Sequence, residues 1–280
     1  MYKILKKEKL NPTITLLEID APYVASKGLP GQFIILRVDT EGERIPFTIE
    51  KCNKEKGSVS IIFQIVGSST LKLDALNEGD YIEDFVGPLG KPSKLDHIKK
   101  GCVIGGGAGC AIALPIVEAL HNKGCDVTSI CGFRNKDLVI LEDEFEKNSS
   151  KFIKMSDDGT WGNQGLVTKA LEEEILKGEK YDDVIAIGPL IMMKFVCEVT
   201  KKYGIKTTVS MNPIMIDGTG MCGCCRIVVG GKIKFACVDG PDFDGHEVDF
   251  DNAMLRNAMY RDWEKHKYEE TCNLLNKKEG

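Results

Sequence analysis

Hydrophobic and polar residues alternate in short runs over the first third of the chain. The segments Gln32–Val38, Val59–Ile65 and Tyr81–Val86 follow this two-residue rhythm, and Gly-Asp and Gly-Pro turn sequences separate such runs. Because successive side chains of a strand point to opposite faces, the pattern predicts strands that bury one face. We therefore expect residues 1–98 to form an antiparallel β-barrel or sandwich domain.

Beyond residue 98 the pattern changes to units of strand, loop and helix. The apolar run Cys102–Leu120 has the length of a membrane span, but four glycines and Pro115 interrupt it and favour a strand, a glycine loop and a helix. Similar units follow as far as Val209. A regular alternation of strands and helices predicts a parallel sheet with helices on its faces. We expect residues 99–211 to form an α/β domain with five parallel strands and no membrane span.

The rhythm ends after Met211, where three cysteines fall within four positions. A polar tail rich in Asp, Asn and Lys follows from Asp239 to Gly280. We expect residues 212–280 to form a small third domain whose tail is a cap or a surface for a partner.

Composition and charge narrow the class of protein. The chain has 280 residues, of which 42% are hydrophobic and 28% charged, the balance of a globular protein. Its formal charge of −5 makes nucleic acid an improbable partner. The start, Met1–Lys7, becomes charged before an apolar region develops, so we expect no export signal and a cytoplasmic protein. In a reducing compartment, the 11 cysteines would remain thiols or bind a metal.

A glycine-rich loop lies between the first apolar strand and the first helix of the α/β domain. Backbone N–H groups and the helix amino terminus at such a loop can bind a pyrophosphate, which approaches only where side chains are small. Cys110 stands where the fingerprint G-x-G-x-x-G has its last glycine, so a purely structural turn is the alternative. The predicted nucleotide-binding residues of the loop are Gly105, Gly106, Gly107, Ala108 and Gly109.

Asp217, Cys222, Cys225 and Cys237 have the spacing of a plant-type two-iron cluster, with four residues, then two, then a distant fourth ligand. A carboxylate stands in the first ligand position, and a carboxylate can bind iron. We therefore predict a [2Fe–2S] cluster. One alternative is zinc held by Cys222, Cys224, Cys225 and Cys237, which requires adjacent thiolates on one metal. In a second alternative, Asp217 is a turn residue, and water or Cys224 completes the metal site.

A nucleotide domain and a one-electron cluster in the same chain require a group that divides a two-electron hydride into single electrons. A flavin does this. The barrel segments Ile45–Ile49 and Phe63–Thr70 contain the strand edges and turns on which the flavin would lie.

With these motifs, the chain resembles the ferredoxin reductase-like electron-transfer subunits. This group includes the small subunits of NADH-dependent reduced ferredoxin:NADP oxidoreductase and sulfide dehydrogenase and the electron-transfer subunit of dihydroorotate dehydrogenase. The resemblance covers nearly the whole chain and implies an antiparallel FAD barrel, a five-stranded NAD(P)-binding domain and a carboxy-terminal [2Fe–2S] domain. Asp217 in the first ligand position favours the bifurcating oxidoreductase and sulfide dehydrogenase branch.

The resemblance implies where FAD binds. Pro46-Phe47-Thr48 match the last three places of the family segment R-P-x-S/T, with Ile45 at the arginine place and Arg44 one residue earlier. Thr48 would then lie near flavin N5. Two later segments of the barrel match the family's other flavin contacts. The implied FAD-binding residues are Arg44, Pro46, Phe47, Thr48, Phe63, Gln64, Ile65, Gly67, Ser69 and Thr70.

The resemblance also implies the pyridine-nucleotide contacts. Gly132 and Arg134 fall where the adenine ribose is bound, and Gly188-Pro189 match the segment at the nicotinamide. Arg134 and Lys136 favour a 2′-phosphate and hence NADP(H) on chemical grounds. The resemblance favours NAD(H).

The predicted function is electron transfer between NAD(H), FAD and the cluster, to or from a larger flavin and iron–sulfur subunit of a bifurcating oxidoreductase. No side chain is expected to act as an acid, a base or a nucleophile, because hydride transfer mainly requires orientation. One alternative is the same module in a sulfide dehydrogenase or dihydroorotate dehydrogenase complex. An alternative of another class is a non-catalytic, zinc-binding interaction protein.

Overall fold

The computed structural model describes residues 1–276 of the chain, so the last four residues of the predicted carboxy-terminal tail lie outside the described part. Short antiparallel strands and two helices form the amino-terminal part. These elements are β1 (Tyr2–Asn11), β2 (Ile14–Asp20), α1 (Pro22–Lys27), β3 (Phe33–Arg37), β4 (Arg44–Thr48), β5 (Lys51–Asn53), β6 (Ser58–Gln64), α2 (Ser68–Ala75), β7 (Tyr81–Ile82) and β8 (Asp84–Leu89).

The amino-terminal strands form two antiparallel sheets, with the strand orders β5-β6-β2-β1-β7 and β4-β3-β8. Leu17 and Ile61 come from the larger sheet and Ile34, Leu36 and Phe85 from the smaller, and all five are buried in one core between the sheets. The alternation read from the sequence therefore corresponds to inward and outward positions.

Strand β3 is buried on both faces. Ile34 and Leu36 face the barrel core, while the intervening Phe33 and Ile35 belong to a second apolar cluster with Met215 and Cys225. This explains the uninterrupted apolar sequence of the strand, because a strand covered on both sides needs no polar face. The carboxy-terminal segment thus packs directly on the barrel.

Alternating strands and helices form the middle of the chain. They are β9 (Lys100–Gly106), α3 (Gly109–Asn122), β10 (Asp126–Phe133), α4 (Glu142–Asn148), β11 (Lys151–Ser156), β12 (Asn163–Gln164), α5 (Val167–Leu176), β13 (Asp183–Ile187), α6 (Leu190–Lys202) and β14 (Thr207–Ser210).

The sheet of this middle part has the strand order β12-β11-β10-β9-β13-β14-β17. Strands β9, β10, β11, β13 and β14 are the five predicted parallel strands, and two short edge strands extend their sheet. The two-residue strand β12 adds a parallel edge, and β17 (Asp242–Asp244) adds an antiparallel edge on β14. β17 was missed because it is short and acidic and comes from the carboxy-terminal segment. The chain reverses its direction of winding between β9 and β13, and ligands of such sheets bind at the carboxyl ends of these strands.

The carboxy-terminal part contains a hairpin, short helices and a long final helix. Its elements besides β17 are β15 (Arg226–Val229), β16 (Lys232–Phe235), α7 (Ala236–Asp239), α8 (Phe250–Asn257) and α9 (Arg261–Asn276). The predicted polar tail is therefore mostly helical: Phe250 and Ala253 of α8 join the apolar core beside α6. Helix α9 returns to the barrel, where the Thr271 and Ser68 hydroxyl oxygens lie 2.7 Å apart. Within residues 1–276, none of the helices has both the length and the apolar composition needed to cross a bilayer.

Candidate functional site

Three predicted nucleotide-binding segments meet at the carboxyl ends of β9, β10 and β13. The Gly107 N–H donates to the Gly132 carbonyl at 2.8 Å, which joins the glycine loop to the end of β10. A Cβ atom on Gly188 would lie 3.2 Å from Gly106 Cα, and one on Gly109 would lie 2.4 Å from the Ile187 carbonyl oxygen. The two loops can approach this closely only because both positions are glycine.

The space above the loop is open at Gly107. Its φ is +54°, in the left-handed region, and a Cβ atom added there would have no heavy atom within 4 Å. Cys110, which departs from the dinucleotide fingerprint, is fully buried, and its Sγ fills the space beneath Gly105. The cysteine therefore packs below the loop and does not obstruct the side on which a pyrophosphate would bind.

The residues that follow β10 and β11 lie together. Arg134 is exposed, and its carbonyl accepts the Asp158 N–H at 3.3 Å. The Asp158 carboxylate accepts the Thr160 N–H at 2.9 Å and the Thr160 hydroxyl at 2.7 Å, which lowers the pKa of Asp158. The sequence carries no local signal for Asp158 at this position, because it follows β11 and meets Arg134 only through the pairing of β11 with β10. Pro189 lies at the amino-terminal cap of α6.

Strand β4 places the segment Pro46-Phe47-Thr48 beside β3. Thr48 is paired with Phe33, and Pro46 with Ile35. Arg44 is exposed and paired with Arg37 at the other end of the strand.

The second predicted flavin segment divides between the barrel core and its surface. Phe63 is only 2% exposed, and its ring centroid lies 5.6 Å from that of Phe47. The Phe63 side chain therefore belongs to the core. This residue can contact a ligand only through its main-chain atoms. The next residue, Gln64, is exposed, and Ile65 is half-buried.

The turn before α2 forms a small cradle at the helix amino terminus. The Thr70 hydroxyl accepts the N–H groups of Val66 at 3.0 Å and Gly67 at 2.9 Å, so it fixes the turn. The Ser69 hydroxyl donates to the Glu43 carboxylate at 3.2 Å. A Cβ atom on Gly67 would have no heavy atom within 4 Å, so the surface above the turn is open. Helix amino termini of this kind bind anions such as pyrophosphate.

The predicted cluster ligands form two pairs. The hairpin of β15 and β16 brings Cys225 and Cys237 together, with the Sγ atoms 3.2 Å apart and each residue 1% exposed. Asp217 accepts the N–H groups of Thr219 at 2.8 Å and Cys222 at 3.1 Å, so the loop folds back on itself and brings Asp217 to Cys222. These hydrogen bonds lower the pKa of the Asp217 carboxyl, chiefly through Thr219.

The two pairs differ in their surroundings. Burial raises the pKa of the Cys237 thiol, and the adjacent Cys225 raises it further, whereas Cys222 is exposed. Within residues 1–276, no group of three or more His, Cys, Asp or Glu side chains already surrounds a single metal position. Three thiols and a carboxylate on one short segment nevertheless fit a two-iron cluster in donor type and in pairing.

The cluster segment lies against the outer face of β3. A Cβ atom on Gly218 would lie 2.6 Å from Leu89 Cδ1 and 3.1 Å from Ile35 Cδ1, and the φ of Gly218 is +76°. Phe33, the partner of Thr48 across the strands, belongs to the same apolar cluster as Cys225. Thr48 therefore lies in the neighbouring strand, on the same face of the sheet as the apolar cluster that contains Cys225.

Comparisons with known proteins agree with this arrangement. Residues 212–249 match the model of the iron–sulfur cluster binding domain of dihydroorotate dehydrogenase B, and residues 103–198 match that of the oxidoreductase NAD-binding domain. The Thermotoga maritima dihydroorotate dehydrogenase B (NAD(+)) electron transfer subunit homolog is 43% identical, with 96% of this chain and 95% of that protein covered. The chain belongs to this family of electron-transfer subunits.

Two other similar proteins match this chain over almost its whole length. A Clostridium beijerinckii protein of the adh 3′ region is 50% identical, with 93% of this chain and 91% of that protein covered. The structure of an NADH-dependent reduced ferredoxin-NADP oxidoreductase, solved for its flavin-based electron bifurcation, contains a chain that is 41% identical with a TM-score of 0.91. The superposition covers 96% of this chain and 97% of that chain.

Family membership tests several predictions made from the sequence. The ferredoxin-reductase-like fold, the oxidoreductase class and the cofactors FAD, [2Fe–2S] and NAD(H) are confirmed. The alternative of a zinc-binding interaction protein was wrong, because the cysteine segment matches an iron–sulfur domain. The individual contact residues remain predictions, and they are argued below from the geometry.

Proposed function

We propose that the chain is the small subunit of an electron-bifurcating, NADH-dependent reduced ferredoxin:NADP oxidoreductase. It would pass electrons between NAD(H), FAD and the cluster, to or from a larger flavin and iron–sulfur subunit. The observation that carries this proposal is the position of the Cys225–Cys237 pair on the opposite side of β3 from the barrel core. A cluster held there would lie on the same face of the sheet as Thr48, which is paired with Phe33 of β3.

The glycine loop and the residues around it would hold the pyridine nucleotide. The pyrophosphate would lie above Gly107, where the amino terminus of α3 and an open surface coincide. Gly132 and Gly188 would line the path to the adenine ribose and the nicotinamide. The Asp158 carboxylate, an acceptor close to Arg134 in the chain fold, favours the free ribose hydroxyls of NAD(H) over a 2′-phosphate.

The barrel would hold FAD along β4, the end of β6 and the turn before α2. The open cradle at Gly67, Ser69 and Thr70 would take the pyrophosphate, and Thr48 would approach the isoalloxazine ring. When bound, the flavin accepts a hydride and releases single electrons. The residues of the two sites would orient the two nucleotides.

The four cluster ligands would serve the two irons in pairs. Cys225 and Cys237 would hold the buried iron, and Asp217 and Cys222 the iron nearer the surface, because each pair is already together. The exposed side of the cluster would then face the larger subunit. Cys224 is half-buried beside Cys222, and its pKa is raised by burial and by that neighbour. It is the remaining thiol in the segment.

The same module in a dihydroorotate dehydrogenase complex is the second candidate, because named relatives are electron-transfer subunits of that enzyme. Asp217 in the first ligand position favours the bifurcating complex. We also propose that the protein works in the cytoplasm, where a reducing environment maintains buried thiols such as Cys102 and Cys197.

Anaerobic co-purification of the tagged chain from its native cells tests the proposed reaction. We expect a larger flavin and iron–sulfur subunit to co-purify and the complex to couple NADH, ferredoxin and NADP. Co-purification with a dihydroorotate-oxidising subunit would identify the second candidate instead. Recovery of the chain alone, without flavin absorption bands, would contradict both.

A further inference from the structure

Two arginine side chains donate hydrogen bonds to the main chain of the cysteine loop. Arg226 Nη1 lies 3.0 Å from the Gly223 carbonyl oxygen, and Arg256 Nη2 lies 3.3 Å from the Cys224 carbonyl oxygen. Arg226 begins β15 next to Cys225, whereas Arg256 comes from α8, which the chain reaches only after the hairpin and β17. The cysteine loop is thus held by cations from two separate elements.

Arg256 is a partly buried cation. It lies in a small crevice with Met211, Pro213, Ile227 and Asn257, and its side chain is neither fully exposed nor fully buried. Burying part of a guanidinium group costs free energy unless an anion or a set of hydrogen bonds compensates. Its position therefore requires an explanation beyond the packing of α8.

The expected counter-charge for Arg256 is missing from the protein itself. No carboxylate of residues 1–276 forms an ion pair with Arg256, and the acidic residue of α8, Asp251, is paired with Lys194 at 2.7 Å. Arg256 instead donates a hydrogen bond to the carbonyl of Cys224, the residue between the predicted iron ligands Cys222 and Cys225. An anion at the cysteine loop would supply the compensation.

The cluster is such an anion. Two ferric ions, two sulfides, three thiolates and one carboxylate together carry a net negative charge, and the uptake of one electron adds another. We propose that Arg256, assisted by Arg226, is the counter-cation of the cluster, so that it positions the cysteine loop and raises the reduction potential. This proposal rests on the ligand set proposed above.

The electrostatic effect has a definite sign. A fixed positive charge stabilises the reduced cluster more than the oxidised cluster, because the reduced form is more negative. Removing the charge therefore lowers the reduction potential. Arg226 is exposed, and water and salt screen its charge, so its contribution is smaller than that of Arg256.

The hydrogen bonds add a geometric effect. In a trans peptide, the carbonyl and the following N–H point in opposite directions. Arginines that hold the carbonyl groups of Gly223 and Cys224 therefore turn the N–H groups of Cys224 and Cys225 to the other side of the loop. N–H groups directed at cluster sulfurs also raise the reduction potential. Arg256→Lys keeps the charge but loses the planar fork, so it separates the two effects.

The test is a redox titration of the full chain, purified anaerobically and followed by electron paramagnetic resonance, together with iron analysis. The variants are Arg256→Gln, Arg256→Lys and Arg226→Gln. The control is Lys147→Gln, which removes an exposed charge from α4 in the nucleotide domain. The flavin potential of each variant is measured as an internal reference.

We expect Arg256→Gln to retain iron and to shift the cluster potential to more negative values, with Arg226→Gln shifting it less. Arg256→Lys should lie closer to the wild type, and Lys147→Gln and the flavin potentials should be unchanged. An Arg256→Gln protein with full iron content and an unchanged cluster potential would overturn the proposal. If Arg256→Gln does not retain iron, iron retention by Arg256→Lys supports the role of the charge, and loss of iron from both variants overturns it. The absence of a two-iron signal from the wild type would instead refute the ligand set.

Discussion

The Sγ atoms of Cys225 and Cys237 lie 3.2 Å apart in the interior of the protein, although 12 positions separate them in the sequence. The hairpin of β15 and β16 produces this contact, and the outer face of β3 covers it. Replacing Cys225 with alanine should abolish the cluster while leaving the barrel and the glycine loop intact. Reduction of bound flavin by NADH should persist, and transfer to the larger subunit should fall to background. Stopped-flow absorbance measures the two steps separately.

One result for Cys225→Ala would contradict this expectation. Loss of bound FAD together with the cluster would mean that the metal supports the fold of the barrel and does not merely carry electrons. Cys102→Ala is the matched control, because Cys102 is an equally buried thiol in β9, away from the cysteine loop. It should retain both the iron and the electron transfer.

Asp217→Cys tests the carboxylate ligand. The variant should keep a two-iron spectrum, because a thiolate replaces a carboxylate at the same loop position, and its reduction potential should change. The substitution removes the acceptor for the N–H groups of Thr219 and Cys222, so a lower yield of loaded protein is also expected. A potential equal to that of the wild type would exclude Asp217 from the ligand set.

Gly67→Ala separates flavin binding from folding. The φ of Gly67 is −149°, which alanine adopts freely, and a Cβ atom there meets nothing within 4 Å. The melting temperature of the apoprotein should therefore be unchanged. If the FAD pyrophosphate lies on this turn, its affinity should fall about tenfold or more, which corresponds to about 1.4 kcal/mol. Wild-type FAD affinity, measured by fluorescence titration, would place the pyrophosphate elsewhere.

We expect Asp242 to make the stability of the protein depend on pH. Its carboxyl is almost completely buried between Ser93, which donates to it at 2.5 Å, and Ser210, and burial raises its pKa. Asp183 adds a like charge, although its own carboxylate is paired with Lys206 and lies beside His97. A carboxyl with a raised folded-state pKa stabilises the fold when it is protonated, and this contribution is lost as the pH rises through that pKa.

Asp242→Asn keeps the shape of the side chain and removes the charge. We expect its free energy of unfolding to exceed that of the wild type at pH 8 and to approach it near pH 4. The gain should be about 1.4 kcal/mol for each unit by which the folded-state pKa of Asp242 is raised. Denaturant unfolding at both pH values measures the difference. A variant that is destabilised equally at both pH values would contradict the account of a buried carboxyl with a raised pKa.

The sequence predicted those parts of the molecule that depend on local spacing. The glycine loop and the four proposed cluster ligands could be singled out because backbone access and metal coordination require specific residue types at specific separations. The strands of the α/β domain were found for a similar reason, since long apolar runs between helices have few other interpretations.

Contacts between distant segments could not be read in the same way. The edge strand β17 exists because β14 offers a partner, and β3 is apolar on both faces because the cysteine segment covers it. Tertiary packing alone brings Asp158 to Arg134 and Arg256 to the cysteine loop. Phe63 matched a flavin segment, but its side chain belongs to the barrel core, a distinction that depends on which face of β6 is buried.

Metal and flavin analysis of the chain purified without oxygen tests the central claim most directly. The expected result is two iron atoms and one FAD per chain, with a two-iron resonance signal that appears on reduction. Zinc in place of iron, with no flavin absorption bands, would contradict the claim that this chain carries electrons.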